Sequence, residues 1–152
     1  MQVRDAQNHV AATRRRYTAG SAVTLSQPWL NAGTGGQTQI QLDVGPAGAG
    51  ASYLVLGTLS GTAPGFLWRP GFPVPINVDF VTQAFAADPN GVFLANGLGL
   101  FDGQGRATAT LTVPPGLLQP LVWSSLHWSF LSADLLGRPV CVGDARALQI
   151  LP

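Results

Sequence analysis

Apolar and polar residues alternate along two segments of the chain. In Thr38–Val44 the apolar positions are Ile40, Leu42 and Val44, and polar residues stand between them. In Arg106–Val113 the apolar side chains alternate with an arginine and threonines in the same way. Because successive side chains of a strand point to opposite faces of a sheet, both segments predict strands with one buried and one solvent-facing side.

Other short apolar runs bounded by turn residues predict further strands. Tyr53–Leu59 is apolar almost throughout, which is typical of a central strand covered on both faces. Pro139–Val142 is a shorter run of the same kind. Tyr53–Leu59 forms the centre of a predicted strand over Ser52–Ser60. The remaining predicted strands are Ala22–Ser26, Gly91–Phe101, Pro120–Ser132 and Ala145–Leu151.

Glycine, proline, asparagine and aspartate mark the turns. Asp102–Gly105 reads Asp-Gly-Gln-Gly between two strand-like runs, which predicts a single hairpin over Gly97–Val113. Asp88–Gly91 reads Asp-Pro-Asn-Gly and predicts a second turn. Gly61–Pro75 contains four prolines and three glycines. We therefore expect this segment to be a long ordered loop or a flap, and not a central strand.

One short helix is predicted directly after this flap. Asp79 is a favourable helix N-cap, and the apolar residues Phe80, Val81, Ala84 and Phe85 follow it at about one helical turn. The same stretch also shows the alternation of a strand, so both interpretations remain open.

The composition favours an all-β fold. All eight basic residues are arginine and all seven acidic residues are aspartate, so the chain lacks the lysine and glutamate that populate solvent-facing helix surfaces. Its 19 glycines and 12 prolines suit strands joined by tight turns. We predict an antiparallel β-sandwich, Ig-like or jelly-roll-like, with at most one short helix near 79–87. Residues 21–152 form its single domain, and the polar residues 1–20 form an N-terminal arm or linker.

Charge, hydropathy and cysteine content limit the classes of partner and ligand that the chain is expected to bind. The formal net charge is +1, which supplies too few phosphate contacts for nucleic-acid binding. No stretch approaches the ~20 apolar residues of a membrane span, and residues 1–20 lack the apolar core of a signal peptide. Cys141, His9 and His127 are too few for a structural zinc site. We expect a buried Cys141 thiol, no metal or cofactor, and no membrane insertion.

Four stretches of the sequence together resemble a known module. They are GGQTQIQLDVGPAGAGASYLVLGTLSGTAPGF, PVPINVDF, GLGLFDGQGRATATLTVPPGL and LHWSFLSAD. Their order and spacing over Ala22–Pro152 resemble the C-terminal module recurrent in secreted proteins of planctomycete-type bacteria. The resemblance implies an antiparallel β-sandwich, an extracellular or cell-surface location and a non-catalytic accessory role. The chain departs from it at Gly143–Ala147, where relatives tend to have an SNP- or SNA-like turn.

The sequence motifs give little support for a catalytic site or a metal-binding site. The Gly-x-Ser-x-Gly spacing of a serine nucleophile is absent, and Gly57–Gly61 fits an ordinary turn. His127 lies on a predicted strand, where a surface or hydrogen-bonded histidine is favoured over a catalytic base. Loop oxygens of Asp88, Asn90 and Asp102 suit weak calcium binding, although these residues are also turn formers. We therefore expect no enzymatic activity, and a small hydrolase that uses His127 as its base remains an alternative.

Loop aromatics are the candidate ligand-binding residues, because an exposed ring can stack on a sugar or fill a pocket of a partner. In the competing interpretation the Pro- and Gly-rich flap folds inward and its rings close the end of the core. Trp123 has the opposite parity to Trp128 on the predicted strand, so we expect Trp128 in the core and Trp123 exposed. The candidates are Trp29, Phe66, Trp68, Phe72 and Trp123.

Three functions follow from these observations. The leading hypothesis is a structural or adhesive module that binds other protein chains, including copies of itself, through strand edges or the N-terminal arm. The alternative is a carbohydrate-binding module that uses the loop aromatics as a glycan platform. The second alternative is the small hydrolase.

Overall fold

A computed structural model describes residues 22–152, and the predicted N-terminal arm over residues 1–20 lies outside the described residues. The described chain is all-β apart from one short helix and two single-turn 3-10 helices, Pro46–Gly48 and Gln119–Leu121. The strands and the helix are β1 (Ala22–Leu25), β2 (Trp29–Asn31), β3 (Gly36–Asp43), β4 (Ser52–Thr58), β5 (Phe66–Arg69), β6 (Phe72–Val74), α1 (Phe80–Ala87), β7 (Leu94–Ala95), β8 (Leu98–Leu100), β9 (Arg106–Val113), β10 (Ser125–Ala133), β11 (Pro139–Val142) and β12 (Arg146–Leu151).

One sheet has four strands in the order β1-β3-β9-β7, and its ladders are antiparallel. Its two long strands are the two alternating segments of the sequence. Ile40 and Leu42 of β3 are fully buried, as are Ala109 and Leu111 of β9, whereas the polar residues between them lie on the other face. The half-buried strands predicted from the alternation are confirmed.

The second sheet has the order β2-β12-β10-β4-β8, and β11 pairs with the end of β10. This sheet curls into a half-barrel. Its ladders are antiparallel except that β2 runs parallel to β12. The prediction of a purely antiparallel fold is therefore wrong at this pair, where the short β2 strand reaches the edge of β12 through the backbone of Pro28 and Trp29.

Both sheets contribute to one apolar core. Trp128 and Phe130 of β10 are fully buried, and they belong to the same cluster as Ile40 and Leu111 of the four-stranded sheet. Since the parity argument predicts Trp128 in the core, that prediction is confirmed.

The flap is a third element that covers the outer face of the second sheet. Strands β5 and β6 form a two-stranded hairpin within Gly61–Pro75, where the sequence predicts a loop or flap. Val74 packs with Leu56 of β4 and Leu131 of β10 in a second, smaller apolar cluster. Strand β4 is thus covered on both faces, as its apolar run predicts.

The predicted hairpin over Gly97–Val113 is wrong. Strand β8 pairs with β4 in one sheet, and β9 pairs with β3 in the other. Phe101 lies between them and is almost fully buried, with its ring 5.0 Å from Tyr53 and 5.8 Å from Phe130, centroid to centroid. Burial of this ring anchors the chain at the point where it passes from one sheet to the other.

Two predicted strands and the predicted helix can also be compared with the structure. Gly91–Phe101 contains two short strands, β7 and β8, because they belong to different sheets. Strand β10 begins only at Ser125, since Gln119–Leu121 form a 3-10 helix; Trp123 therefore lies before the strand and not on it. The helical interpretation of 79–87 is confirmed by α1.

Gly57 of β4 provides a test of core packing. A Cβ at this position would lie 2.9 Å from the ring of Trp128, whereas a Cβ on Gly103 would meet nothing within 4 Å. We expect Gly57→Ala to lower the free energy of unfolding by about 1–3 kcal/mol, because overpacking forces the core to shift. Chemical denaturation of Gly57→Ala and the matched Gly103→Ala variant measures the effect, and equal stability of the two variants would contradict it.

Candidate functional site

The flap aromatics do not form an exposed platform. Phe72 is buried, and Phe66 and Trp68 are half-buried against the smaller apolar cluster. The rings of Trp68 and Phe72 meet edge to face with centroids 6.0 Å apart. These three residues therefore pack the flap onto the outer face of the second sheet. The flap folds inward, as the competing interpretation expects, but its rings cover a sheet face and do not close the end of the core.

The other two candidate aromatics are exposed. Trp29 is 46% exposed on β2 and lies opposite Gln149 of β12. Trp123 is 75% exposed, has a positive φ of 70° and donates its backbone N–H to the carbonyl of Ile150. The five candidates thus divide between the flap and the β2–β12 edge of the second sheet, and the structure does not bring them together as one site.

A pocket that the sequence analysis missed lies at one end of the two sheets. Its volume is about 450 Å³, within the range of ~300–1,000 Å³ common for ligand sites. Helix α1, the 88–94 segment and the 117–121 segment enclose it, and buried side chains from the strands form its floor. The floor residues include Leu94, Leu111, Leu126 and Ile150. We call this feature the apolar pocket.

The mouth of the apolar pocket is also apolar. Phe80 is 73% exposed and Val92 is 89% exposed, and Phe93 and Leu117 line the same opening. Large apolar side chains that gather at an opening mark a binding site more often than scattered ones do. The sequence does contain a signal for this opening. The apolar pairs Val92-Phe93 and Leu117-Leu118 lie outside the two segments in which apolar and polar residues alternate.

Electrostatics at the apolar pocket are simple. Asp88, exposed at the C-terminal end of α1, is the only ionisable residue among the described residues that line it. Its carboxylate disfavours an anionic group at the mouth and suits a cation or a hydrogen-bond donor. The arrangement is therefore suited to an apolar group without negative charge.

A network around Asp79 fixes α1 over the pocket. One carboxylate oxygen of Asp79 accepts hydrogen bonds from the Thr58 hydroxyl at 2.9 Å and from the Leu59 N–H at 2.7 Å. The N–H and hydroxyl of Ser60 donate to the same oxygen, each at 2.9 Å. The other oxygen accepts from the Thr82 N–H at 3.0 Å and completes a capping box. Asp79 thereby joins the N-terminus of the helix to the end of β4.

This network determines the protonation of Asp79. Burial acts to raise the pKa of the Asp79 carboxyl. The hydrogen bonds from Thr82, Thr58, Leu59 and Ser60 stabilise the ionised form and outweigh burial, so the pKa lies well below its usual range.

His127 is placed without catalytic partners. Its Nδ1 atom is buried and has no hydrogen-bond partner among residues 22–152. Thr58 lies opposite His127 in register, but the Thr58 hydroxyl is bonded to Asp79. The described residues thus supply neither an acid nor a hydroxyl bonded to this imidazole, which a hydrolase mechanism requires.

Two of the three calcium candidates, Asn90 and Asp102, use their side chains in turns. The Asn90 side chain bonds both the N–H and the carbonyl of Leu98, at 3.0 and 3.2 Å. One Asp102 oxygen accepts the N–H groups of Gln104 and Arg106. No group of three or more His, Cys, Asp or Glu side chains that could hold a metal occurs within residues 22–152. In the same part of the chain, no helix has the length and apolar character needed to cross a membrane.

Comparisons with known proteins were made at three levels. No family model, no curated protein and no solved structure matches this chain. The resemblance to the planctomycete-type module therefore stays a prediction, and the site is argued from its own geometry.

The Asp79 network predicts a pH-dependent contribution to stability. Since the pKa is lower in the folded chain than in the unfolded chain, this contribution is present above pH ~4 and is lost as the pH falls below it. We expect Asp79→Ala to lower the free energy of unfolding at pH 7 by about 1–2 kcal/mol, the upper part of the range for loss of an N-cap. The deficit should shrink at pH 2.5, because Asp79 of the unfolded wild type is then largely protonated while the folded carboxyl is still ionised, so folding must release a proton.

Denaturation of wild type and Asp79→Ala at both pH values measures this effect. The matched control is Asp144→Ala, which removes an exposed aspartate outside the network. A deficit for Asp79→Ala that is the same at both pH values would contradict the prediction.

The burial of Cys141 predicts that its thiol is unreactive in the folded protein. It lies on β11 and is buried, as the sequence analysis expects, and burial raises the pKa of its thiol to about 11. Because the thiolate is the reactive form, we expect no labelling by a disulfide reagent at pH 8 in the folded protein and complete labelling in denaturant. Rapid labelling of the folded chain would contradict this placement.

Proposed function

We propose that this chain is a non-catalytic binding module of the structural or adhesive kind, which holds an apolar group of a partner chain in the apolar pocket. In this proposal the two sheets, antiparallel except for the β2–β12 pair, form a β-sandwich of Ig-like or jelly-roll-like type that supports the pocket. The module acts outside the cell or at its surface, as the resemblance implies. The observation that carries the proposal is an apolar cavity of about 450 Å³ with an apolar, exposed mouth.

The energetics of the mouth support this function. Phe80 and Val92 face solvent in the free chain, and their burial by a partner is favourable by roughly 25 cal/mol per Å² of apolar surface. The Asp79 network holds α1 in place, so little conformational freedom is lost when a partner binds. A preformed apolar site of this kind favours binding and supplies no reactive group.

The alternatives have weaker support in the geometry. A glycan platform would depend on Trp29 and Trp123, because the three flap aromatics pack inward. The hydrolase would depend on His127, whose buried Nδ1 has no partner within the described chain.

An uncharged probe tests the pocket. We expect N-phenyl-1-naphthylamine to bind dilute wild-type protein with a rise in fluorescence, because its rings are apolar and avoid repulsion by Asp88. Ala84 lines the apolar pocket and is exposed, so Ala84→Trp should fill the mouth and raise the Kd at least about tenfold, equivalent to ~1.4 kcal/mol.

The matched control is Ala86→Trp, which adds the same ring to an exposed position of α1 outside the pocket lining. This variant should bind the probe like the wild type. Absence of probe binding to wild type, or equal loss in the two tryptophan variants, would overturn the proposed function.

A further inference from the structure

Two turns of the chain share one sequence pattern and one geometry. Asp102–Arg106 and Asp134–Arg138 both read Asp-x-x-Gly-Arg. In each turn one aspartate oxygen accepts the backbone N–H groups of the residue two positions later and of the arginine, at 2.8–2.9 Å. The glycines have φ values of 76° and 74°, which favour glycine. The two turns are therefore structural equivalents.

The two turns differ in the residues at their tips. The first has Gly103 and Gln104 between its aspartate and its glycine, whereas the second has Leu135 and Leu136. These leucines are 84% and 77% exposed. Because the first turn forms without any apolar residue, the geometry of the turn does not require the leucines. We call Leu135 and Leu136 the leucine tip and look for their role in binding.

The leucine tip and the apolar pocket lie at opposite ends of β10. The tip follows Ala133 at the end of the strand, and Leu126 near its start lines the pocket. A strand of nine residues spans about 30 Å at ~3.3 Å per residue. The tip of one molecule is therefore too far from its own pocket to enter it, but it is free to enter the pocket of another copy.

The two surfaces are complementary in volume and charge. The pocket offers about 450 Å³ of apolar space, which accommodates two leucine side chains. Asp88 stands at its rim. Beside the tip, Arg138 is 72% exposed and uses only Nε in its 2.7 Å bond to Asp134. Since a guanidinium has five N–H donors, Arg138 retains donors for the Asp88 carboxylate of a neighbouring copy.

Two exposed strand edges, β8 and β1, are less suited to association than the tip. The Asn90 amide occupies both the N–H and the carbonyl of Leu98 on β8. On β1, the carbonyl of Val23 accepts a 2.9 Å bond from Nε of Arg146. Side chains that occupy edge groups block the addition of another strand.

We propose that the leucine tip of one copy inserts into the apolar pocket of the next copy, which joins the molecules head to tail. This proposal rests on the proposed function, because it assigns the occupant of the same pocket. A contact between two different surfaces of identical chains is heterologous and continues into rings or filaments. A membrane is a less suitable target for the tip, since a net charge of +1 supplies little attraction to anionic lipid.

Sedimentation velocity over a range of concentrations tests the proposal with the full chain. We expect the wild type to associate as its concentration rises. Leu135→Gly with Leu136→Gln, which copies the tip of the first turn, should raise the Kd at least about 100-fold, because each buried leucine contributes ~1.5–3 kcal/mol. Circular dichroism confirms that this tip variant is folded.

A variant of equal composition separates a specific contact from general stickiness. It combines the tip variant with Gly103→Leu and Gln104→Leu, so that the leucine pair moves to the first turn. Gly103 has open space around its Cα and tolerates a side chain. We expect this variant to remain monomeric. Association equal to that of the wild type would overturn the proposed insertion.

A mixing experiment tests the head-to-tail geometry. The tip variant retains an intact pocket, and Ala84→Trp retains an intact tip. Each should be monomeric alone, and the mixture should form a one-to-one dimer that grows no further, because the second pocket and the second tip are disabled. A mixture that stays monomeric would overturn the proposal.

The remaining outcomes separate this inference from the proposed function. A wild-type chain that stays monomeric at millimolar concentration but binds the naphthylamine probe would overturn the inference alone. Association that is unaffected by Ala84→Trp, together with no probe binding, would overturn both. Tip-dependent binding of a monomeric chain to phosphatidylcholine vesicles would assign the leucine tip to a membrane and overturn the inference.

Discussion

The hydrogen bonds that the Asp79 carboxylate accepts are the constraint on which the pocket end of this protein depends. A single side chain accepts hydrogen bonds from the end of β4 and from the first turn of α1. The helix is only eight residues long, and helices of this length have marginal stability by themselves. Without this connection it would therefore be unstable in its position over the core. The contact of Phe85 with the Trp128 ring, 5.1 Å between centroids, adds an apolar attachment on the inner side of the helix. The pocket exists because α1 is held as a lid above the strands and does not collapse onto them.

Reactive side chains are few in the rest of the described chain. Its titratable groups are few, its thiol is buried, and its turns use aspartate for backbone hydrogen bonds. Exposed apolar side chains occur at the mouth of the pocket and at the leucine tip, and also elsewhere, as at Trp123 and Leu67. The pocket and the leucine tip thus lie at opposite ends of β10.

Much of the fold was predictable where local pattern and tertiary environment agree. The alternation in β3 and β9, the covered strand β4, and the cap at Asp79 each follow from residues within a few positions of one another. That β8 and β9 pair with different strands, and not with each other, was not predictable in this way. The Asp-Gly turn signal at 102–105 is real, but burial of Phe101 decides that its flanking strands join different sheets. Strand β2 was missed because three residues carry too little pattern to identify a strand. The pocket was missed because its lining comes from helix, loop and strand segments that only the tertiary fold brings together.

The Asn90 amide has a consequence for how the protein behaves when it is crowded. By presenting one donor and one acceptor to Leu98, it imitates the backbone of a neighbouring strand with a single side chain. An edge whose groups are occupied in this way is a poor template for cross-β growth, which requires a row of unsatisfied backbone groups. Amyloid-type extension of the second sheet is therefore disfavoured at β8.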